Sequence, residues 1–300
     1  MPDTSYTLIE SSGLFFDLSP RVRLQFVGKD AQRYLQGQVS NDVRKASRTD
    51  SIYVAVMSAK GKMSGDGFIH EIDGGYMFDG EPDFRDALQA RFDRYIIADD
   101  VVLTDVTDET CQFHVVGPAL PSSSLAHLNP VSSNRLGIPG FDIFVSSAQK
   151  DEVAQILKST YATGTASDFE QIRIEQGYPR YGVDMSEDTI PHEAGLEERA
   201  ISYHKGCYIG QEVISRIKSV GKVNWVWSGF LTDGTEVPTG EAKIMLDDRE
   251  VAIITTWMRS PSLEKVIALG YVKREYTTQG TVFTHQGMNL TLTPLPFIKR

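Results

Sequence analysis

Two residue clusters in this chain combine chemistry-bearing side chains with spacing that suits a site. The first is HKGCYIGQEVISRIKSVGK, residues 204–222, which holds Cys207, one of only two cysteines. Glycines at 206 and 210 open backbone conformations closed to other residues. The segment after Gly210 reads as a helix, so Cys207 lies just ahead of a helix N-terminus. That end of a helix and nearby cations such as Lys205 favour a thiolate. A reactive thiol of this kind serves as a nucleophile, a redox sensor or a metal ligand. The alternative is a tight turn in which a small cysteine fills a pocket. His192 and His204 are the nearest histidines for a Cys–His pair. No second cysteine or paired histidines stand at ligand spacing, so no metal site is expected.

The second cluster is RIEQGYPRYGVDMSEDTIPHE, from Arg173 to Glu193. Glu175 falls in the last turn of a short helix and precedes Gly177, Pro179 and Gly182. A carboxylate there suits two parallel hydrogen bonds from an amidine-like edge such as a pterin ring. The helix dipole disfavours a carboxylate at that end, which leaves a partner to account for it. The plain alternative is a surface glutamate that closes a helix. A further carboxylate, Asp66, sits between two glycines in KGKMSGDGFIHE, where it either faces a cleft or serves a turn.

These residues need elements to hold them. The 300 residues suggest two domains or one large domain with a small one appended. FVGKDAQRYLQGQVSNDV reads as strand, turn and helix, with Asp30 as the N-cap and the helix running from Ala31 towards Gln38. IYVAVMSAKGKMSGDGFIHEI and GGYMFDG read as antiparallel strands. EPDFRDALQARFDRYII reads as an amphipathic helix with Pro82 in its first turn. VVLTDV, CQFHVVG and FDIFVSS read as strands, and residues 117–140 mostly as loop with one short helical piece. QKDEVAQILKSTYATG is a helix closed near Gly164. SDFEQIRIEQG carries a capping box of Ser167 with Glu170, and Gly177 follows its end. Beyond residue 221 the pattern turns to alternation and hairpins, and all three tryptophans lie there. The expected organisation is an α+β domain over 1–221 and a small β-barrel over 222–300.

Composition bounds the function. A hydrophobic fraction of 41 % and a charged fraction of 23 % are ordinary for a globular protein. No apolar run reaches membrane-spanning length, and the acidic start lacks the features of a secretory signal or organelle presequence, which reads as cytoplasmic. Cys111, in an alternating stretch, reads as a small buried hydrophobe. The net charge of −10 argues against coating nucleic acid. A basic island of Arg199, Lys205, Arg216, Lys218 and Lys222 against Glu212 alone leaves a narrower tRNA contact open. No dinucleotide or P-loop fingerprint is present.

KGCYIGQE resembles the K-G-C-Y-x-G-Q-E signature of the YgfZ family, folate-binding relatives of the glycine-cleavage T-protein, an aminomethyltransferase. FVGKDAQRYLQGQVSND, SAKGKMSGDGFI, RIEQGYPRYGVD and IPHEAGLE spread the resemblance over nearly the whole chain. It implies an aminomethyltransferase-like α+β core around a folate channel, followed by a small barrel. It also implies tetrahydrofolate or a derivative as cofactor. Glu175 in RIEQG matches the glutamate that holds the pterin, with Arg173 and Tyr181 expected beside it, and Asp66 matches an aspartate that acts near the folate. The T-protein lacks K-G-C-Y at Lys205–Tyr208. The resemblance therefore implies a folate-dependent factor that maintains iron–sulfur enzymes, with an indirect link to tRNA modification and Cys207, beside Lys205, as a functional thiol. A tetrahydrofolate-dependent aminomethyltransferase and a module that has lost its ligand are the alternatives.

Overall fold

A computed structural model describes residues 4–117 and 125–299. Among these residues the strands form two five-stranded sheets and one six-stranded sheet. The first sheet is antiparallel throughout, in the spatial order Ile52–Met57, Met63–Ile72, Gly75–Gly80, Val22–Val27, Val102–Asp105. Its apolar face packs under helices Ala31–Gln38 and Arg85–Asp93. Phe92 is central there, edge-on to Phe26 and Phe78 at centroid distances of 5.0 and 5.2 Å, the arrangement that opposed ring quadrupoles favour.

The second sheet runs Ala162–Thr163, Leu14–Asp17, Thr110–Val116, Gly140–Ser146, Val131–Ser132, with only the first pair parallel. Helix Lys150–Thr160 covers it through Val153 and Leu157. Cys111 is buried in this core, as its alternating stretch implies. The third sheet holds the strands from Trp225–Thr232 to Met288–Thr293 and is antiparallel throughout. It curls until its edge strands, Ala242–Leu246 and Val282–His285, approach each other, giving a nearly closed barrel. The architecture is thus an α+β core followed by an all-β barrel, the class the hydrophobic patterning implies.

Several local expectations shift. Asp30 does stand at the N-cap position, but its carboxylate caps nothing in its own helix and accepts the Asp100 N–H at 2.9 Å. The helix expected over Pro82–Ile97 is a 3-10 turn, Pro82–Phe84, and a shorter helix ending at Asp93, because Tyr95 and Ile96 reach the same core from a turn. The capping box before Arg173 belongs to Thr165 and Asp168 rather than Ser167 and Glu170: Thr165 Oγ1 accepts from Asp168 N at 3.1 Å and Asp168 accepts from Thr165 N at 2.8 Å. Within the loop expected over 117–140, residues 118–124 lie outside the described residues. The rest contains the short helical piece, Ala126–Leu128. No helix among the described residues is long and apolar enough to cross a membrane.

Candidate functional site

A cavity of about 340 Å³ opens where the two five-stranded sheets meet the start of helix Ala166–Glu175. Its apolar walls are aromatic, with Phe16 from the second sheet, Phe68 from the first and Phe169 from the helix. Asp66 enters from strand Met63–Ile72, flanked by Gly65 and Gly67. The glycine at 67 is required by packing, since a Cβ there would lie 2.2 Å from the Asp79 carbonyl oxygen. Asp66 is thereby drawn close against the neighbouring strand and is only 7 % exposed. The Tyr53 hydroxyl donates to its Oδ2. Burial, with Glu81 nearby, pushes the Asp66 carboxyl up to about 6, because an ionised carboxylate is poorly solvated there. Burial and the adjacent Asp66 likewise hold the Tyr53 phenol well above its ordinary value.

Five arginines line the cavity, and four of them are committed to carboxylates. Arg21 pairs with Asp79 at 2.7 Å and with Glu81. Arg180 pairs with Glu81 at 2.7 Å. Arg173 pairs with Glu170 at 3.0 Å and Asp184 at 2.8 Å. Arg135 bridges Asp79 and Asp142, and His114 Nδ1 lies 2.9 Å from Asp142. Against the cost of burial, these guanidinium groups hold Glu81, Asp79 and Asp142 below the usual carboxylate range. Burial keeps His114 neutral by lowering its pKa. The network is a rigid floor, because removing one member strands another buried charge.

Arg199 is the exception. It makes no salt bridge among the described residues. Its guanidinium carbon lies 3.8 Å from the Tyr178 ring centre and 4.7 Å from that of Tyr53, and among the described residues its side chain hydrogen-bonds the Asn134 carbonyl alone, at 3.1 Å. A cation stacked between two aromatic faces keeps its in-plane donors available for an anion.

The structure brings some of the sequence-predicted residues together and separates others. Asp66 and Arg173 share the cavity. Tyr181 does not line it; this side chain is buried edge-on to Phe84, beside a neighbouring cleft. Glu175 does not line it either. Its carboxylate is fully buried and accepts the hydroxyls of Ser260 and, at 3.1 Å, Ser262, both from the barrel side. Its carbonyl takes the Phe297 N–H at 2.9 Å. Lys205 and Cys207 lie outside the cavity lining. Lys205 is buried, and its ammonium donates to the carbonyls of Val39 and Asn41, each at 2.7 Å. Burial pushes its pKa down to about 7, while those carbonyls and the Tyr208 ring, 4.9 Å away, favour the charged form. Cys207 is exposed in the turn before helix Gln211–Val220. His192 hydrogen-bonds the Tyr203 hydroxyl at 2.7 Å, and His204 is exposed.

Arg21, Tyr53, Glu81 and Arg135 were not distinguishable as site residues in the sequence, while Tyr178 lay unremarked within RIEQGYPRYGVD and Arg199 figured only in the basic island. They come from distant segments and share no motif. An arginine in EAGLEERAIS, close ahead of the cysteine signature, was the one available hint.

Comparison with known proteins accords with this architecture. Residues 5–135 match the GCVT N-terminal domain, and residues 227–299 match the glycine cleavage T-protein C-terminal barrel domain. The chain is 26 % identical to an aminomethyltransferase of Herpetosiphon aurantiacus, over 88 % of this chain and 79 % of that protein. It is 25 % identical to one of Geobacillus kaustophilus, over 95 % and 87 %. The crystal structure of glycine cleavage system aminomethyltransferase T from Bartonella henselae superposes with a TM-score of 0.84, covering 98 % of this chain and 88 % of that one at 16 % identity, a likeness of fold. The chain thus has a GCVT-like fold, matched over residues 5–135 by the N-terminal domain and over 227–299 by the C-terminal barrel domain, with residues 136–226 between the two matches.

Proposed function

We propose that this protein binds a reduced folate, tetrahydrofolate or a derivative, in the cavity and acts as a cytoplasmic accessory factor in the assembly or repair of iron–sulfur enzymes, with Cys207 as its functional thiol. The observation that carries the folate reading is the buried Asp66 carboxylate in an aromatic-walled cavity of about 340 Å³. That volume sits at the lower end of the roughly 300–1,000 Å³ typical of ligand sites. A flat heterocycle with N–H donors fits Phe16, Phe68 and Phe169 together with one acceptor carboxylate. A ligand carrying an anionic tail fits Arg199, the lining arginine left without a carboxylate. When bound, the folate would supply a one-carbon unit; the chain's own residues orient it and exclude water.

Glu175, assigned to the pterin by resemblance, would have to surrender the hydroxyls of Ser260 and Ser262 to take that part. Asp66 needs to surrender only Tyr53, so Asp66 is the first residue of the folate site in this reading. Arg173 contributes by fixing Glu170 and Asp184, and Tyr181 by packing edge-on against Phe84. The accessory role rests on the complete K-G-C-Y-x-G-Q-E signature and on a thiol that is exposed outside the cavity. A thiol so placed meets another protein more readily than a ligand inside the cavity. Iron–sulfur client proteins are the partners of this reading, and the link to tRNA modification runs through them.

Titration of tetrahydrofolate into the wild type, Asp66→Ala and Glu175→Ala tests the folate part. Saturable binding lost in Asp66→Ala supports it, and no binding to the wild type removes it. Aminomethyl transfer is the second reading, favoured by the names of the relatives. Formation of methylene-tetrahydrofolate from an aminomethylated lipoyl carrier would establish it, and a flat assay would dismiss it.

A further inference from the structure

The turn that carries Cys207 and the wall that carries Asp66 meet at Asn41, with Ser40 alongside it. Lys205, two residues before the cysteine, donates its ammonium hydrogens to Val39 and Asn41 carbonyls. Gly206 and Cys207 are exposed, Tyr208 is buried again, and the Ile209 N–H donates to the Gly37 carbonyl at 3.1 Å. The exposed pair is therefore bracketed by two anchors, and both fall on residues 37–41. The Asn41 side-chain amide in turn donates to the Tyr53 carbonyl at 2.9 Å and the Arg199 carbonyl at 3.1 Å. Tyr53 holds Asp66 through its hydroxyl, and Arg199 stacks on Tyr53. Ser40 runs a parallel tie, exchanging hydrogen bonds with Ala55 at 2.9 and 3.0 Å and taking the Ser202 N–H at 3.1 Å.

Lys205 is poorly placed for chemistry, being buried, outside the cavity and already bonded to two main-chain carbonyls. We infer that Lys205 is a positioning residue: acting through Asn41, it ties the Cys207 turn to Tyr53 and Arg199, so that occupation of the cavity and exposure of the Cys207 thiol are coupled. The inference rests on the reading of the cavity as a folate site. A ligand that engages Asp66 and Arg199 fixes the two backbone carbonyls that Asn41 holds. The other face of Asn41 is the acceptor of Lys205. The Gly206–Cys207 pair, with no buried side chain of its own, is the part of the assembly with the least resistance to movement. Linkage makes the effect reciprocal: the factor by which ligand shifts the turn's conformational equilibrium is the factor by which that conformational change shifts ligand affinity.

Cys111 is buried, so alkylation of the native protein by iodoacetamide reads Cys207 alone. Saturating tetrahydrofolate is expected to change the Cys207 alkylation rate by about 5-fold or more, the lower end of ordinary coupling between sites. Asn41→Ala keeps the main-chain acceptor of Lys205 but removes the two bonds to the cavity wall, and the ligand response should vanish while binding persists. Lys205→Met, which keeps the apolar stem, should lose the response as well, and thermal unfolding run in parallel identifies any variant that does not fold. Binding to the wild type with an unchanged alkylation rate overturns the coupling and leaves the folate reading standing. A full response in Asn41→Ala overturns the assignment to Lys205 and Asn41. Absence of binding to the wild type overturns both readings together.

Discussion

Asp66→Asn is expected to stabilise the protein at neutral pH and to weaken ligand binding. In the unfolded chain this carboxyl ionises near 3.8, and in the folded protein burial raises it to about 6. Between those values the folded form holds a proton that the unfolded form has lost. Below pH 3.8 the group adds nothing to the pH dependence of stability. As pH rises through about 6 its full cost develops, because folding then encloses a charged carboxylate. A rise of about two on the pH scale corresponds to ~3 kcal/mol. Asparagine keeps an oxygen to accept from Tyr53 and carries no charge, so it avoids this cost. Urea denaturation of both proteins at pH 4 and pH 7.5 measures the difference. The variant should gain ~2.5 kcal/mol over the wild type at pH 7.5 relative to its standing at pH 4. A stability difference that is the same at both pH values would refute the claim that Asp66 is ionised and strained in the cavity. Loss of tetrahydrofolate binding alongside the gain would show why a destabilising carboxylate is kept, a trade common at sites whose groups are tuned for ligands.

Three further outcomes follow from the geometry. Glu175→Ala should lower stability by about 3 kcal/mol, since two barrel hydroxyls lose a charged acceptor, as read by urea denaturation; an affinity loss at unchanged stability would return this carboxylate to the ligand. Arg199→Met should weaken tetrahydrofolate binding by roughly 10-fold to 100-fold, the worth of one charge-assisted hydrogen bond, and should flatten the salt dependence of binding; calorimetric titration at two ionic strengths decides. Cys207→Ser should leave stability within about 0.5 kcal/mol, as for an exposed position, yet fail to restore iron–sulfur enzyme activity in a deletion strain; full restoration would remove the thiol from the mechanism.

Periodicity and turn chemistry revealed the elements where the signal is local. Ala31–Gln38 and Gln211–Val220 appear at their expected places, and the hairpins after residue 221 form the barrel. The Thr165 capping box was displaced by two residues in the sequence reading because Ser167 and Glu170 satisfy the same spacing as Thr165 and Asp168. For Asp66 the flanking glycines left both a cleft and a turn open, and its place mid-strand in the cavity comes from the pairing of Met63–Ile72 with its neighbours. The arginine floor was not legible, because Arg21, Arg135 and Arg180 are joined into one network by Asp79 and Glu81, about 50 to 100 residues away from them. Glu175 had the same difficulty: Ser260 and Ser262, which occupy its carboxylate, stand 85 and 87 residues further on.

The contact between Glu175 and Phe297 has a consequence for how the chain is made. Helix Ala166–Glu175 supplies Phe169 and Arg173 to the cavity, yet its last residue is fastened to barrel serines and to the backbone at 297. Translation delivers these partners about 85 to 120 residues later. At roughly 5–20 residues per second, the helix waits about 6–24 seconds between its synthesis and its last contact. For about the first 4–17 seconds of that interval the nascent N-terminal half carries a carboxylate without its hydroxyls, and until residue 297 arrives the end of the helix is unfastened. The barrel thus acts as a closing latch on work begun much earlier on the ribosome.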